Sequence, residues 1–166
     1  MSDKTRYLPG FDPQRGEVSM RILGPVEFSI DEAPALIDFG KDDKTTNGNS
    51  VLMRVDYGRA RILLTGDLNK ASQQALMEAY SGHRMEFQCD VAKARHHGSE
   101  DVSFAFLQAL MPAATVICSG DGEGHDHPKP RIVAASGVTG YRTVRGRRDS
   151  HAARVLHRAR ALGFGR

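Results

Sequence analysis

A chain of 166 residues, 40% apolar and 26% charged, is long enough for one domain with a core, too short for two ordinary ones, and not of disordered composition. Its apolar runs are only a few residues long, which argues against a membrane-spanning helix. The charged start Met1-Ser2-Asp3-Lys4-Thr5-Arg6 lacks the apolar stretch of a secretion signal, so a cytoplasmic chain is expected. The net charge of +3 is uneven: residues 141–166 hold eight arginines against the single Asp149, which leaves residues 1–140 at −4.

Residues 1–17 read as a loop, because Pro9-Gly10, Asp12-Pro13 and Arg15-Gly16 are all breakers. Val18 to Leu23 alternates apolar and polar, the period of a strand, and Gly24-Pro25 ends it. Residues 41–49 are polar throughout and are expected to be a loop. Val51 to Tyr57 and Ala60 to Thr65 form a hairpin around Gly58, and the continuous Ile62-Leu63-Leu64 suggests a strand buried on both faces. Asn69 is an N-cap signal for a helix to about Tyr80, with Ala71, Ala75, Leu76 and Ala79 on one face. A short strand over Asp90–Ala94 opens into Arg95-His96-His97-Gly98-Ser99. A helix from about Ser103 to Leu110 stops at Pro112, and Thr115-Val116-Ile117-Cys118 is a further buried strand. After a glycine-rich loop come His125-Asp126-His127-Pro128 and a short helix near 130–136. Residues 149–162 have helical composition with a thin apolar stripe. Cys89 and Cys118 each adjoin a strand and sit in no Cys-x-x-Cys pattern, so buried free thiols are expected rather than a zinc knuckle.

The informative pattern is where the Asp and His residues fall. One strand runs into Asp67, the next into His96 and His97, the last into His125 and His127. Strand ends of one α/β sheet lie along one edge, where sites are assembled. Carboxylate and neutral imidazole are ligands for zinc, manganese or iron, and groups converging there can hold a metal that activates water. Each piece alone is ordinary: Gly-Asp after a strand, a His-His pair and a His-Pro loop all occur as plain surface features. Their order and spacing are what carry weight.

The stretch Asn49–Gly58, then Leu63-Leu64-Thr65-Gly66-Asp67, then Asp90-Val91-Ala92-Lys93 leading to His96-His97-Gly98-Ser99, then Pro112, Ser119-Gly120 and His127-Pro128, resembles the second half of the metallo-β-lactamase-fold hydrolase domain of ComEC-type competence proteins. The resemblance covers roughly residues 18–135. It implies an α/β fold: part of an αβ/βα sandwich, with a mixed sheet and helices mainly on one face. It implies a metal-dependent hydrolase that cleaves a phosphodiester or related ester with a metal-bound hydroxide. Asp67, His96 and His127 would be metal ligands, with zinc or manganese as the divalent metal. His96 or His97 would be the catalytic proton donor, and His96, nearer the strand end, is favoured.

One departure matters. The family's His-x-His-x-Asp-His motif, which holds much of one metal site, has no counterpart: residues 1–82 contain no histidine. The expectation is therefore a loop over 1–17, a partial domain over 18–140 and a basic end over 141–166, with metal binding weak or incomplete. The partner implied is the missing half-domain or a second copy. The arginine-rich end fits either nucleic-acid binding through Arg142, Arg145, Arg147 and Arg148 or a solvated, frayed terminus. The alternatives to an incomplete hydrolase are a non-catalytic binding module and a structural module whose exposed sheet face pairs with another chain.

Overall fold

A computed structural model describes residues 6–119 and 126–140. It is an α/β fold around a five-stranded mixed sheet in the order β1-β4-β5-β6-β7. Strands β1 (Val18–Gly24), β4 (Leu52–Tyr57) and β5 (Ala60–Leu64) pair antiparallel. Strands β6 (Val91–Lys93) and β7 (Ala114–Val116) extend the sheet in parallel from β5. A change from antiparallel to parallel pairing requires crossover connections. These are α2 (Lys70–Ala79) between β5 and β6, and α3 (Phe104–Leu110) between β6 and β7. Asn69 caps α2 as its sequence suggests, accepting from the Ser72 amide, and Ser103 caps α3 by accepting from that of Phe106.

The core lies on one side of the sheet. Leu23, Leu52, Leu63 and Ala92 point from the strands toward Leu76 and Met77 of α2 and toward Phe106 and Leu110 of α3. Phe87, from a short 3-10 turn at Arg84–Phe87, stacks tilted on Tyr80 at 4.9 Å and edge-on to Phe106 at 5.5 Å between ring centroids. On the same side a polar chain closes the β1–β4–β5 end. Glu86 accepts from Arg21 and Arg54 at 2.8 and 2.6 Å, and Asp56 bridges Arg54 and Arg61 at 2.8 and 3.0 Å. Helix α4 (Pro130–Thr139) begins with proline in its first turn, where the missing N–H costs nothing, and buries Ile132, Ser136 and Thr139.

The other face of the sheet is apolar and, among the described residues, only partly covered. Met20, Ile22, Met53, Val55, Ile62, Leu64, Val91 and Val116 alternate with the core residues, and none is buried; Ile62 and Val116 are 38% and 49% exposed. Among the described residues Ile62-Leu63-Leu64 and Thr115-Val116-Ile117 are thus covered on one face, in keeping with the expected helices mainly on one face and an exposed opposite face: of these six residues only Leu63 is buried. The continuous apolar run is real, but its second face has no layer against it among the described residues.

Three local differences have physical causes. Residues 42–48 form a helix, α1 (Asp42–Gly48), rather than a loop. Asp42 and Asp43 complement the dipole of its first turn, Thr45 accepts from the Phe39 amide, and Asn69 donates to the Lys44 carbonyl. Strands β2 (Glu27–Ile30) and β3 (Ala33–Leu36) make a second, isolated hairpin. Its turn puts Asp31 and Glu32 at positive φ without a glycine to announce it. Cys89 is buried as expected, but Cys118 is exposed, because β7 ends at Val116 and the chain leaves the sheet before reaching it. The basic end from 141 onward lies outside the described residues, and so does His125. No described helix is long and apolar enough to cross a membrane.

Candidate functional site

Three loops leave the ends of β5, β6 and β7 side by side, and backbone hydrogen bonds stitch them together. The His96 amide donates to the Gly66 carbonyl at 3.1 Å, tying the second loop to the first. The Lys129 amide donates to the Gly98 carbonyl at 3.0 Å, tying it to the segment after His127. Deeper in the sheet, Thr65 Oγ1 donates to the Lys93 carbonyl at 2.9 Å and the Ala94 amide to that of Val116 at 2.7 Å.

Two glycines make this proximity feasible. Gly66 sits at φ +55, and a Cβ there would stand 2.6 Å from Ser50 Cβ. That close approach lets Ser50 Oγ accept from the Asp67 amide at 3.1 Å and fix the carboxylate-bearing residue. Gly98 sits at φ +89, and its Cβ would stand 2.7 Å from Pro128 Cβ. Only glycine fits where two loops meet so closely at positive φ.

Between these glycines the chain adopts an unusual turn. His96 (φ 41, ψ 49) and His97 (φ 53, ψ 20) both occupy the left-handed region, which non-glycine residues visit rarely and at a cost. Past the turn, buried Gln73 ties the segment that follows to α2: its amide group donates to the Leu68 and Asp101 carbonyls and accepts from the Ser103 amide at 2.8 Å. The result is a cluster. His97 Nε2 lies 3.8 Å from Asp67 Oδ1. The rings of His96 and His97 are 6.5 Å apart, and those of His96 and His127 6.1 Å.

The four site residues expected from the sequence are thus gathered at one sheet edge, with a change of emphasis. His97, not the favoured His96, stands beside Asp67, and His96 lies between His97 and His127. His97 Nδ1 is 2.8 Å from the Cys118 carbonyl, which can only accept. This contact therefore places a proton on Nδ1 and turns Nε2 toward Asp67. The Asp67 and His97 side chains are 36% and 52% exposed, so the pair opens to solvent.

Two donors with this spacing and tautomer fit a divalent metal in part. Among the described residues no three His, Cys, Asp or Glu side chains are grouped closely enough to hold one ion. Ser50, Gln73 and the Cys118 carbonyl were not picked out as site-building from the sequence. Gln73, a fully buried amide on an amphipathic helix, offered the one readable signal; the other two act through loop geometry. Arg95, the residue before His96, is buried, and burial lowers its pKa to about 10, against the attraction of Asp101. It therefore stays cationic at neutral pH. A cavity of about 400 Å³ beside Leu23, Tyr80, His83 and Glu86 is remote from this edge and contains none of its residues.

No protein-family model matches the chain. Two curated proteins are similar to it. ComE operon protein 3 of Bacillus subtilis (strain 168) is 29% identical over 93 residues, which is 55% of this chain and 12% of that protein. Competence protein ComA of Neisseria gonorrhoeae is 35% identical over 101 residues, 58% of this chain and 14% of that protein. The chain's similarity is thus to competence proteins, and the matches span 12–14% of the length of these curated relatives.

Proposed function

We propose that this chain carries part of a divalent-metal hydrolase site for phosphodiesters, with Asp67 and His97 as the pair that receives the cation. One observation carries the reading. Asp67 Oδ1 and His97 Nε2 face each other at 3.8 Å, and the Cys118 carbonyl holds the ring at His97 Nδ1, which keeps Nε2 turned toward the carboxylate. Carboxylate oxygen and imidazole nitrogen both bind zinc with ~2.0 Å bonds, and tetrahedral ligands of that bond length stand roughly 3.3 Å apart, so a small approach of the two side chains lets one cation join them. When bound, zinc or manganese would supply Lewis acidity and acidify a nearby water. Asp67 orients its carboxylate through its own amide on Ser50, and His97 through Cys118. His96 and His127 flank the pair, where either can bind a further ligand or hand a proton to a leaving oxygen. Similarity to competence proteins makes DNA the phosphodiester of first interest. Arg142, Arg145, Arg147 and Arg148 then serve as sequence-independent phosphate contacts.

Two donors fall short of the three or four that hold zinc tightly. The account therefore expects weak, single-metal binding and little turnover from the chain alone, with remaining ligands supplied by a complementary half-domain or a second copy. The test is manganese titration followed by water-proton relaxation, on the native chain and on His97→Ala and His96→Ala. Loss of binding in His97→Ala with partial retention in His96→Ala supports the assignment; equal binding in all three overturns it.

The uncovered sheet face favours a second reading, a non-catalytic module that pairs through that face. Concentration-dependent self-association abolished by Ile62→Asp, together with no metal uptake, would select it.

A further inference from the structure

The histidine turn begins at Arg95, a residue the candidate site does not use. Arg95 is 2% exposed, and none of its three guanidinium nitrogens has a hydrogen-bond partner. Asp101 acts on it only as a through-space charge, with no ion pair between them among the described contacts. A buried cation without a partner is strongly disfavoured unless something supplies opposite charge, and a guanidinium escapes by losing its proton only at very high pH.

The same region holds a second orphan. Ser136, on α4, is 6% exposed and its Oγ is also buried without a partner. Arg95 and Ser136 line one small cavity beneath the parallel edge of the sheet, with Thr65 and Thr139 as polar neighbours and Phe106 and Ile132 as apolar wall. Its volume is about 20 Å³, above the roughly 10–15 Å³ that one water-sized occupant requires and too small for a phosphate group. A guanidinium can only donate and a serine hydroxyl can donate. What satisfies both is one compact acceptor, and what neutralises the site is a negative one.

We propose that Arg95 and Ser136 hold a single monovalent anion of halide size, chloride under cellular conditions, in this cavity. The ion links the start of the histidine turn to α4, which follows His127. It thereby fixes two of the segments that build the candidate site. The proposal does not depend on the metal reading, since neither Arg95 nor Ser136 faces the Asp67–His97 pair.

Melting of the full chain in sodium bromide or chloride is compared with sodium gluconate at constant ionic strength. An occupant that binds only the folded state raises the melting temperature by mass action. A saturable rise on the order of a few degrees is expected for the native chain, a smaller one for Ser136→Ala and none for Arg95→Met. The same rise in Arg95→Met, or none in the native chain, overturns the proposal. If Arg95→Met does not fold, chlorine NMR line broadening by the native chain, reduced in Ser136→Ala, takes its place. No excess broadening by the native chain is then the refuting result. A crystal soaked in bromide gives a direct reading. An anomalous peak in the cavity is expected, and a water alone, without anomalous signal, overturns the assignment.

Discussion

Replacing Gly66 by alanine tests the construction of the site at its tightest point. The backbone there is at φ +55, so any L side chain pays for the left-handed conformation, about 1–2 kcal/mol. The added Cβ also meets Ser50 Cβ at 2.6 Å, Val51 O at 3.2 Å and Ser50 Oγ at 3.3 Å. One of these is backbone, and Ser50 Oγ is committed to the Asp67 amide, so relaxation must break that hydrogen bond or move the loop. Overpacking of this kind adds roughly 1–3 kcal/mol, for a total of about 3 kcal/mol. At about 3–4 °C per kcal/mol for a domain of this size, the melting temperature should fall by roughly 10 °C. Gly82 is the control: its φ is +83 but a Cβ there meets nothing within 4 Å, so Gly82→Ala carries the conformational part alone, roughly 4 °C. The two variants are compared by thermal melting at equal concentration. If Gly66→Ala melts within about 2 °C of Gly82→Ala, the close approach of the Ser50 and Gly66 loops is refuted, and with it the account of how Asp67 is positioned.

The asymmetry of the sheet gives a second pair of expectations. Leu63→Ala, at a fully buried position, should cost about 2–5 kcal/mol, whereas Ile62→Ala, one residue away on the open face, should cost less than about 1 kcal/mol by urea unfolding. Equal costs would mean that a layer covers that face. Burial raises the pKa of Tyr80, whose hydroxyl donates to the Leu23 carbonyl at 3.0 Å. A raised folded pKa means that this contribution is intact below tyrosine's ordinary value of about 10 and is lost as pH climbs through the folded value. Melting of the native chain should therefore fall more steeply above that pH than melting of Tyr80→Phe; parallel profiles would contradict it. Binding of duplex DNA, if it runs through the arginine-rich end, should weaken steeply with salt, ignore sequence and vanish on deletion of residues 145–166. Unchanged binding after deletion removes that end from the account.

Strand and helix positions were largely legible because each signal was local. Asn69 caps its helix where the sequence put it, the helix expected from about Ser103 runs over Phe104–Leu110, and the alternation in Val18–Leu23 marks β1. The strand-to-Asp and strand-to-His pattern was legible for a topological reason: parallel strands deliver their C-terminal ends to one edge, where Asp67, the His96-His97 pair and His127 fall in successive contact. What was not legible depends on tertiary context. Helix α1 is polar and glycine-ended, and forms because Asn69 and Phe39 meet it. The β2–β3 turn uses Asp31 and Glu32 at positive φ, which no glycine signals. The choice between His96 and His97 hinged on two consecutive left-handed residues and on the Cys118 carbonyl, a backbone group that carries no residue-type signature. The continuous apolar run at Ile62–Leu64, set against too few apolar covering elements, pointed to a strand apolar on both faces with one face left open, and among the described residues Ile62 is exposed while Leu63 is buried.

In the proposed function, Asp67 and His97 form an incomplete metal site. Its most direct test is metal stoichiometry and affinity of the purified full chain, by elemental analysis after dialysis and by zinc titration calorimetry, beside Asp67→Ala. The account predicts at most one zinc per chain, held no tighter than micromolar, and lost in Asp67→Ala. Two metals per chain at nanomolar affinity, or uptake that Asp67→Ala leaves unchanged, would contradict it.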